Sequence, residues 1–176
     1  MRAYYFDNIP GDQRLPHDSG NPVSDEILKS IGALYWHIPT NQQEQIDTIA
    51  EERSYKHRDI ITVTKQDLGD EYEPLLEKFF QEHMHQEEET RYVIDGSGFF
   101  DLREHSSGSW IRCQIVEGDL FAIPPGIYHR FTLDENNMIK SLRFYKDKPN
   151  GTHINRDSST DVHPSRVDYL KNLAVN

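Results

Sequence analysis

Two histidines one residue apart, then a run of acids and an arginine, make up His83-Met84-His85-Gln86-Glu87-Glu88-Glu89-Thr90-Arg91. On an extended chain alternate side chains point to one side, so His83 and His85 project together, and Glu89 and Arg91 share their parity. A bend over 86–88 would bring Glu89 back towards the imidazoles. Two imidazoles and a carboxylate facing one point form a mixed nitrogen–oxygen site for a divalent transition metal. Without a thiolate in the set, iron, nickel, manganese, cobalt and zinc all stay open. The competing reading is a polar helix end followed by a solvated acidic face. Further on, Gly96 is expected inside a hairpin turn. Gly118, Pro124, Gly126 and His129 then follow in the order G-x5-P-x-G-x2-H. These turn residues would hold a late strand so that His129 reaches inward. Arg91 is then either a neighbour of the metal or an ordinary surface arginine.

Several elements must position these side chains. Leu75, Leu76, Phe79 and Phe80 recur at helical spacing, which predicts a helix over 71–82 with Pro74 in its first turn. His83 should emerge where that helix ends. From about residue 84 the period changes to two. Strands are expected near 89–95, 98–103, 110–116, 119–123, 128–133 and 138–145, separated by Gly-, Pro- and Asp-rich turns. Short strands at this spacing indicate an antiparallel sandwich or barrel. Before them, residues 8–24 read as irregular, 25–31 as a helix start, 34–38 and 60–64 as short strands, and 42–53 as a weakly apolar helix. The stretch 149–165 reads as irregular, and 166–174 as a short closing helix. The fold class is therefore mainly β with peripheral helices, an α+β domain. One domain is expected over 1–176. Residues 1–78 would be mostly helical and irregular, 79–147 a metal-binding β-barrel core, and 148–176 an irregular tail with a short helix.

Composition narrows the function classes. The chain has 176 residues and a formal charge of −11, a sign that repels phosphate backbones and anionic lipid. No nucleic acid and no membrane insertion are expected, since no stretch approaches the ~18 apolar residues a span needs. The single cysteine, Cys113, excludes a multi-cysteine zinc site and fits a reducing compartment. It lies between Ile111 and Ile115 with their parity and reads as an inert core thiol. The opening MRAYYFDN has no apolar core followed by a small-residue cleavage site, so no secretory signal is expected. His17, His37, His57, His105, His153 and His163 have no ligand-like spacing and read as surface or satisfied polar residues.

The pattern H-x-H-x3-E-x6-G at His83, His85, Glu89 and Gly96, with G-x5-P-x-G-x2-H ending at His129, is similar to the two motifs of the cupin superfamily. Leu133 stands where the second motif usually carries Asn. More narrowly, FFQEHMHQEEETRYVIDGSGFFDLRE, WIRCQIVEGDLFAIPPGIYHRFTLDE, SLRFYKDKP and LPHDSG resemble the eukaryotic acireductone dioxygenases of methionine salvage. The resemblance implies a cupin-type antiparallel β-barrel or jelly roll with helices packed outside. It implies His83, His85, Glu89 and His129 as ligands of one Fe(II) or Ni(II) per chain. It also implies Arg91 and Arg143 as stabilisers of substrate charge, and Phe79 and Phe131 as aromatics flanking the substrate. Without the resemblance both phenylalanines read as core.

The activity implied is oxidation of 1,2-dihydroxy-5-(methylsulfanyl)pent-1-en-3-one by O2. With Fe(II) the products would be 4-methylsulfanyl-2-oxobutanoate and formate; with Ni(II), 3-methylsulfanylpropanoate, formate and carbon monoxide. The working form is expected to be a monomer in the cytoplasm, with the nucleus open as a second address. Two alternatives share the scaffold: another metal enzyme, such as an isomerase or a quercetinase-like dioxygenase, and a non-enzymatic interaction protein.

Overall fold

Among the described residues, eleven strands and five α-helices position the site. The computed structural model describes residues 1–148 and 153–174. The strands are β1 (Arg2–Phe6), β2 (Asp18–Pro22), β3 (Leu34–His37), β4 (His57–Thr64), β5 (His83–Met84), β6 (Glu89–Arg103), β7 (Trp110–Val116), β8 (Asp119–Ile123), β9 (His129–Leu133), β10 (Met138–Tyr145) and β11 (Ile154–Asn155). The helices are α1 (Asp25–Ser30), α2 (Gln43–Glu52), α3 (Lys65–Leu68), α4 (Tyr72–Phe80) and α5 (Pro164–Leu173). Among the described residues no helix is long and apolar enough to cross a membrane.

Every strand pairing is antiparallel, and β6 belongs to two sheets. One runs β11-β5-β9-β6-β7-β1-β2; the other places β10 and β8 on either side of β6, with β4 and β3 outside them. The first half of β6 pairs with β8 and β10, the second half with β7 and β9. This sharing joins the two sheets through β6, and the outer strands of the two sheets are β11, β2, β4 and β3.

Residues 89–103 were expected as two strands around a hairpin turn at 95–98, and the structure corrects this. The chain bends there without reversing. The register between β6 and β10 slips by one residue at Val93–Asp95, a β-bulge. Gly96 follows with φ of +79°, and a Cβ placed on it would lie 2.2 Å from the Met138 carbonyl oxygen. Only glycine passes here, so the glycine signal was genuine but marks a corner between sheets.

The segment 1–78 also contributes four strands. Residues 18–22, expected as irregular, pair with β1, which itself pairs with β7. The barrel interior holds Val93, Phe100, Leu102, Ile111, Ile115 and Ile139, with Cys113 fully buried among them as expected. Helix α4 lays Leu76 and Phe79 against that cluster, as its apolar stripe requires. Fully burying a leucine such as Leu76 contributes roughly 1.5–3 kcal/mol. Helix α2 covers the other sheet with Ile46 and Ala50 packed on Tyr92, Leu120 and Phe144.

Candidate metal centre

Three strands and a turn bring the motif residues together. His83 on β5 faces His129 on β9 across a register pair, and His129 in turn faces Leu102 on β6. Glu89 opens β6 beside Ile123. The Pro124-Pro125-Gly126 turn pins the remaining ligand candidate: the Gly126 N–H donates to the His85 carbonyl oxygen at 3.0 Å. One ligand atom from each of His83, His85, Glu89 and His129 lies within 4.8 Å of the other three. His83 and His129 are buried; His85 and Glu89 border the opening.

The donor chemistry suits a divalent cation. His83 Nδ1 lies 2.7 Å from the Gln81 carbonyl oxygen, and His129 Nδ1 lies 3.0 Å from that of Ile127. Each Nδ1 therefore carries the donated proton, and each Nε2 keeps its lone pair towards the centre. His129 Nε2 lies 2.9 Å from Glu89 Oε2, and His85 Nε2 lies 3.3 Å from the same oxygen. A lone pair and a carboxylate oxygen repel at that separation unless positive charge sits with them, as a proton or an ion. Burial, and next the adjacent His129, push the His83 imidazole down to about 2, so it stays a neutral donor. Burial would raise the Glu89 carboxyl; Arg91 and His85 outweigh it and hold that group well below the usual carboxylate range. Neutral imidazoles and an ionised carboxylate are the forms a metal needs.

A cavity of about 420 Å³ opens over His83, His85 and Glu89. Phe79 and Phe131 line it, set edge to face with centroids 6.0 Å apart. Both also pack against the core, so the two readings of them meet in one place. Ile61, Val63 and Ile139 add apolar wall. Arg91 and Arg143 both line the cavity and are direct register partners on β6 and β10. Two guanidiniums so placed repel unless each has a counter-charge. Arg91 Nη2 donates to Glu89 Oε1 at 2.7 Å, and Arg143 grips Asp59 through Nε and Nη2, both at 2.6 Å.

Asp59 and His153 were not singled out from the sequence. Asp59 lies on the cavity rim in β4, and nothing local distinguishes it from any solvated strand acid. His153, read as a surface or satisfied residue, is half-buried in the cavity wall with its ring on that of His83. His17 is a satisfied polar residue as expected, buried between Asp7 and the Asp12 carbonyl oxygen. The Tyr128 hydroxyl donates to Asp161, away from the four-residue centre.

A double-sheet barrel with three imidazoles and a carboxylate at an open apolar cavity defines a cupin-type metalloenzyme. The model of the ARD/ARD′ family matches residues 2–153, and the chain belongs to that family. It is 56% identical over 176 residues to acireductone dioxygenase 1 of Coprinopsis cinerea, covering 99% of each chain. It is 48% identical over 171 residues to the acireductone dioxygenase of Phaeosphaeria nodorum, covering 97% of this chain and 96% of the other. Among solved structures, the acireductone dioxygenase of Bacillus anthracis, with cadmium in its active centre, superposes with a TM-score of 0.66. That match is 21% identical and covers 77% of this chain and 94% of the other, which shows the shared fold. The chain is thus a metal-dependent dioxygenase.

Proposed function

We propose that the chain oxidises acireductone, 1,2-dihydroxy-5-(methylsulfanyl)pent-1-en-3-one, with O2, in methionine salvage. The observation that carries this reading is the convergence of His83, His85, Glu89 and His129 beneath an apolar cavity. Near full-length identity to fungal acireductone dioxygenases supports it. In this reading the four residues hold one Fe(II) or Ni(II). When bound, the ion supplies a Lewis-acidic centre that can take two adjacent oxygens of an enediolate.

The chain's own residues do the rest. Arg91 offsets the negative charge of the bound enediolate, and its guanidinium does so independently of pH. Arg143, held by Asp59, adds positive potential from the next strand. Phe79 and Phe131, packed edge to face on each other, flank the substrate as one apolar wall and help keep water from it. The working unit is one domain over 1–176, a monomer with one ion, in the cytoplasm and, as a second address, the nucleus.

The test is product analysis after separate reconstitution. The Fe(II) form is expected to yield 4-methylsulfanyl-2-oxobutanoate and formate; the Ni(II) form, 3-methylsulfanylpropanoate, formate and carbon monoxide. Acireductone loss no faster than its spontaneous oxidation, from a fully metal-loaded chain, would refute the reading. Arg91→Ala is expected to keep its metal and lose roughly 10²-fold in kcat/KM, the scale for removing one preorganised electrostatic partner. Metal analysis with oxygen-consumption assays checks this, and unchanged turnover would remove Arg91 from the site.

A further inference from the structure

We propose that His153 is a positioning residue for His83: its ring lies flat on the His83 ring and by that stacking fixes the plane in which His83 presents Nε2. The inference rests on the reading of His83 as a metal ligand.

The two rings are stacked with centroids 3.8 Å apart and planes 19° from parallel. His83 also meets the His129 ring, 4.4 Å away and tilted by 58°. His153 is thus the ring that lies flat on His83, while the His129 ring meets it at an angle. A hydrogen-bond chain joins the same residues. His83 Nδ1 donates to the Gln81 carbonyl oxygen at 2.7 Å, Asn155 Nδ2 donates to Gln81 Oε1 at 3.1 Å, and His153 Nε2 donates to Asn155 Oδ1 at 2.8 Å. Two backbone features hold the supports in place. Strand β11 pairs with β5, Asn155 opposite His83, and Arg156 closes the pair by donating its N–H to the Glu82 carbonyl oxygen at 2.9 Å. The Arg156 side chain also reaches Glu82 Oε1 at 2.7 Å.

The physical need for such a clamp is specific. Rotation about χ2 of a histidine is broad and soft, so one hydrogen bond at Nδ1 leaves the ring free to rock about it. A flat neighbour removes that freedom. Groups that orient a metal-bound imidazole typically contribute 10–100-fold to affinity, which sets the scale here.

The test uses the full chain loaded with Co(II), whose ligand-field spectrum reports donor geometry, together with the rate of metal release to a chelator. His153→Ala is expected to release the ion roughly 10-fold faster and to shift the visible bands. His153→Phe keeps a flat ring without the Nε2 donor and is expected to recover most of the loss in both readouts. Parent-like release and spectrum in His153→Ala would overturn the proposal. So would a phenylalanine variant as fast as the alanine one, because stacking would then not be the cause. His83→Ala provides the reference. If it keeps Co(II) as tightly as the parent, the ligand reading itself falls and this inference falls with it. If His83→Ala loses the ion while His153→Ala is silent, only the inference is overturned.

Discussion

His129→Ala is expected to fold, to lose its divalent ion during purification, and to lose turnover of acireductone with it. The expected loss exceeds the roughly 10–100-fold that changes around a metal ligand cost, because a ligand itself is removed. His129 sits within β9 between its partners on β5 and β6, so alanine preserves the strand and its backbone pairing. What disappears is the nitrogen 2.9 Å from Glu89 Oε2, and with it the deepest donor of the set. A thermal readout separates metal loss from misfolding. In the parent chain, an ion at a thousandfold excess over its Kd stabilises the fold by about 4 kcal/mol. For a chain of this size that raises Tm by roughly 8–16 °C. In His129→Ala the metal-dependent rise should vanish while the metal-free Tm stays near that of the parent. Stoichiometric metal and an undiminished rise would remove His129 from the ligand set. His85→Ala is expected to act in the same direction, since its Nε2 addresses the same carboxylate oxygen.

Part of the centre was legible because His83, His85 and Glu89 are close in sequence; His129 joins them through the pairing of β5 with β9, and its place in the set was implied by the family resemblance. Parity pairs His83 with His85 before the bend at 86–87 and Glu89 with Arg91 after it, and Arg91 does reach Glu89. The Pro-Pro-Gly turn was legible for a similar reason: local stiffness aims the residues that follow it. The readings that failed turn on distant partners. Gly96 looks like a reversal from its neighbours alone, and the group that makes it a corner is the carbonyl of Met138. Strand β2 is built from Asp, Ser, Gly, Asn and Pro, a loop composition, and becomes a strand through its pairing with β1. His153 lies far along the chain from His83, and no periodicity in a two-residue strand could have announced their contact. The pairing of Arg143 with Asp59 likewise depends on the register between β10 and β4, which the pattern of either strand alone leaves open.

Asp101→Ala is the substitution expected to destabilise the fold most. Asp101 is 1% exposed and faces Arg112 on β7 and Arg130 on β9, one from each flank of β6. Arg112, itself 0% exposed, grips both carboxylate oxygens at 2.7 and 2.9 Å. Arg130 donates to the second of these oxygens at 2.8 Å. A single negative charge therefore serves two guanidiniums, one of them sealed from water. Their faces rest on Phe99 and Trp110, which add cation–π attraction but no counter-charge. Removing the carboxylate leaves a buried, uncompensated cation, a change that typically costs 3–5 kcal/mol. That corresponds to a fall in Tm of roughly 6–20 °C for a chain of this length. Asp101→Asn should recover little, because a neutral amide offers one acceptor where Arg112 uses two. The loss should also be felt in the segment before β2. Arg112 Nη1 donates to the Gln13 and Leu15 carbonyl oxygens at 3.1 and 2.6 Å, so a displaced guanidinium releases that stretch to proteolysis. Replacing both partners, Asp101→Leu with Arg112→Met, removes the sealed guanidinium but leaves Arg130 without its carboxylate and those two carbonyls without their donor. The double variant is expected to regain part of the stability and none of the protease resistance. If Asp101→Ala melted within a degree or so of the parent, the buried ion triad would not be what holds β7, β6 and β9 together.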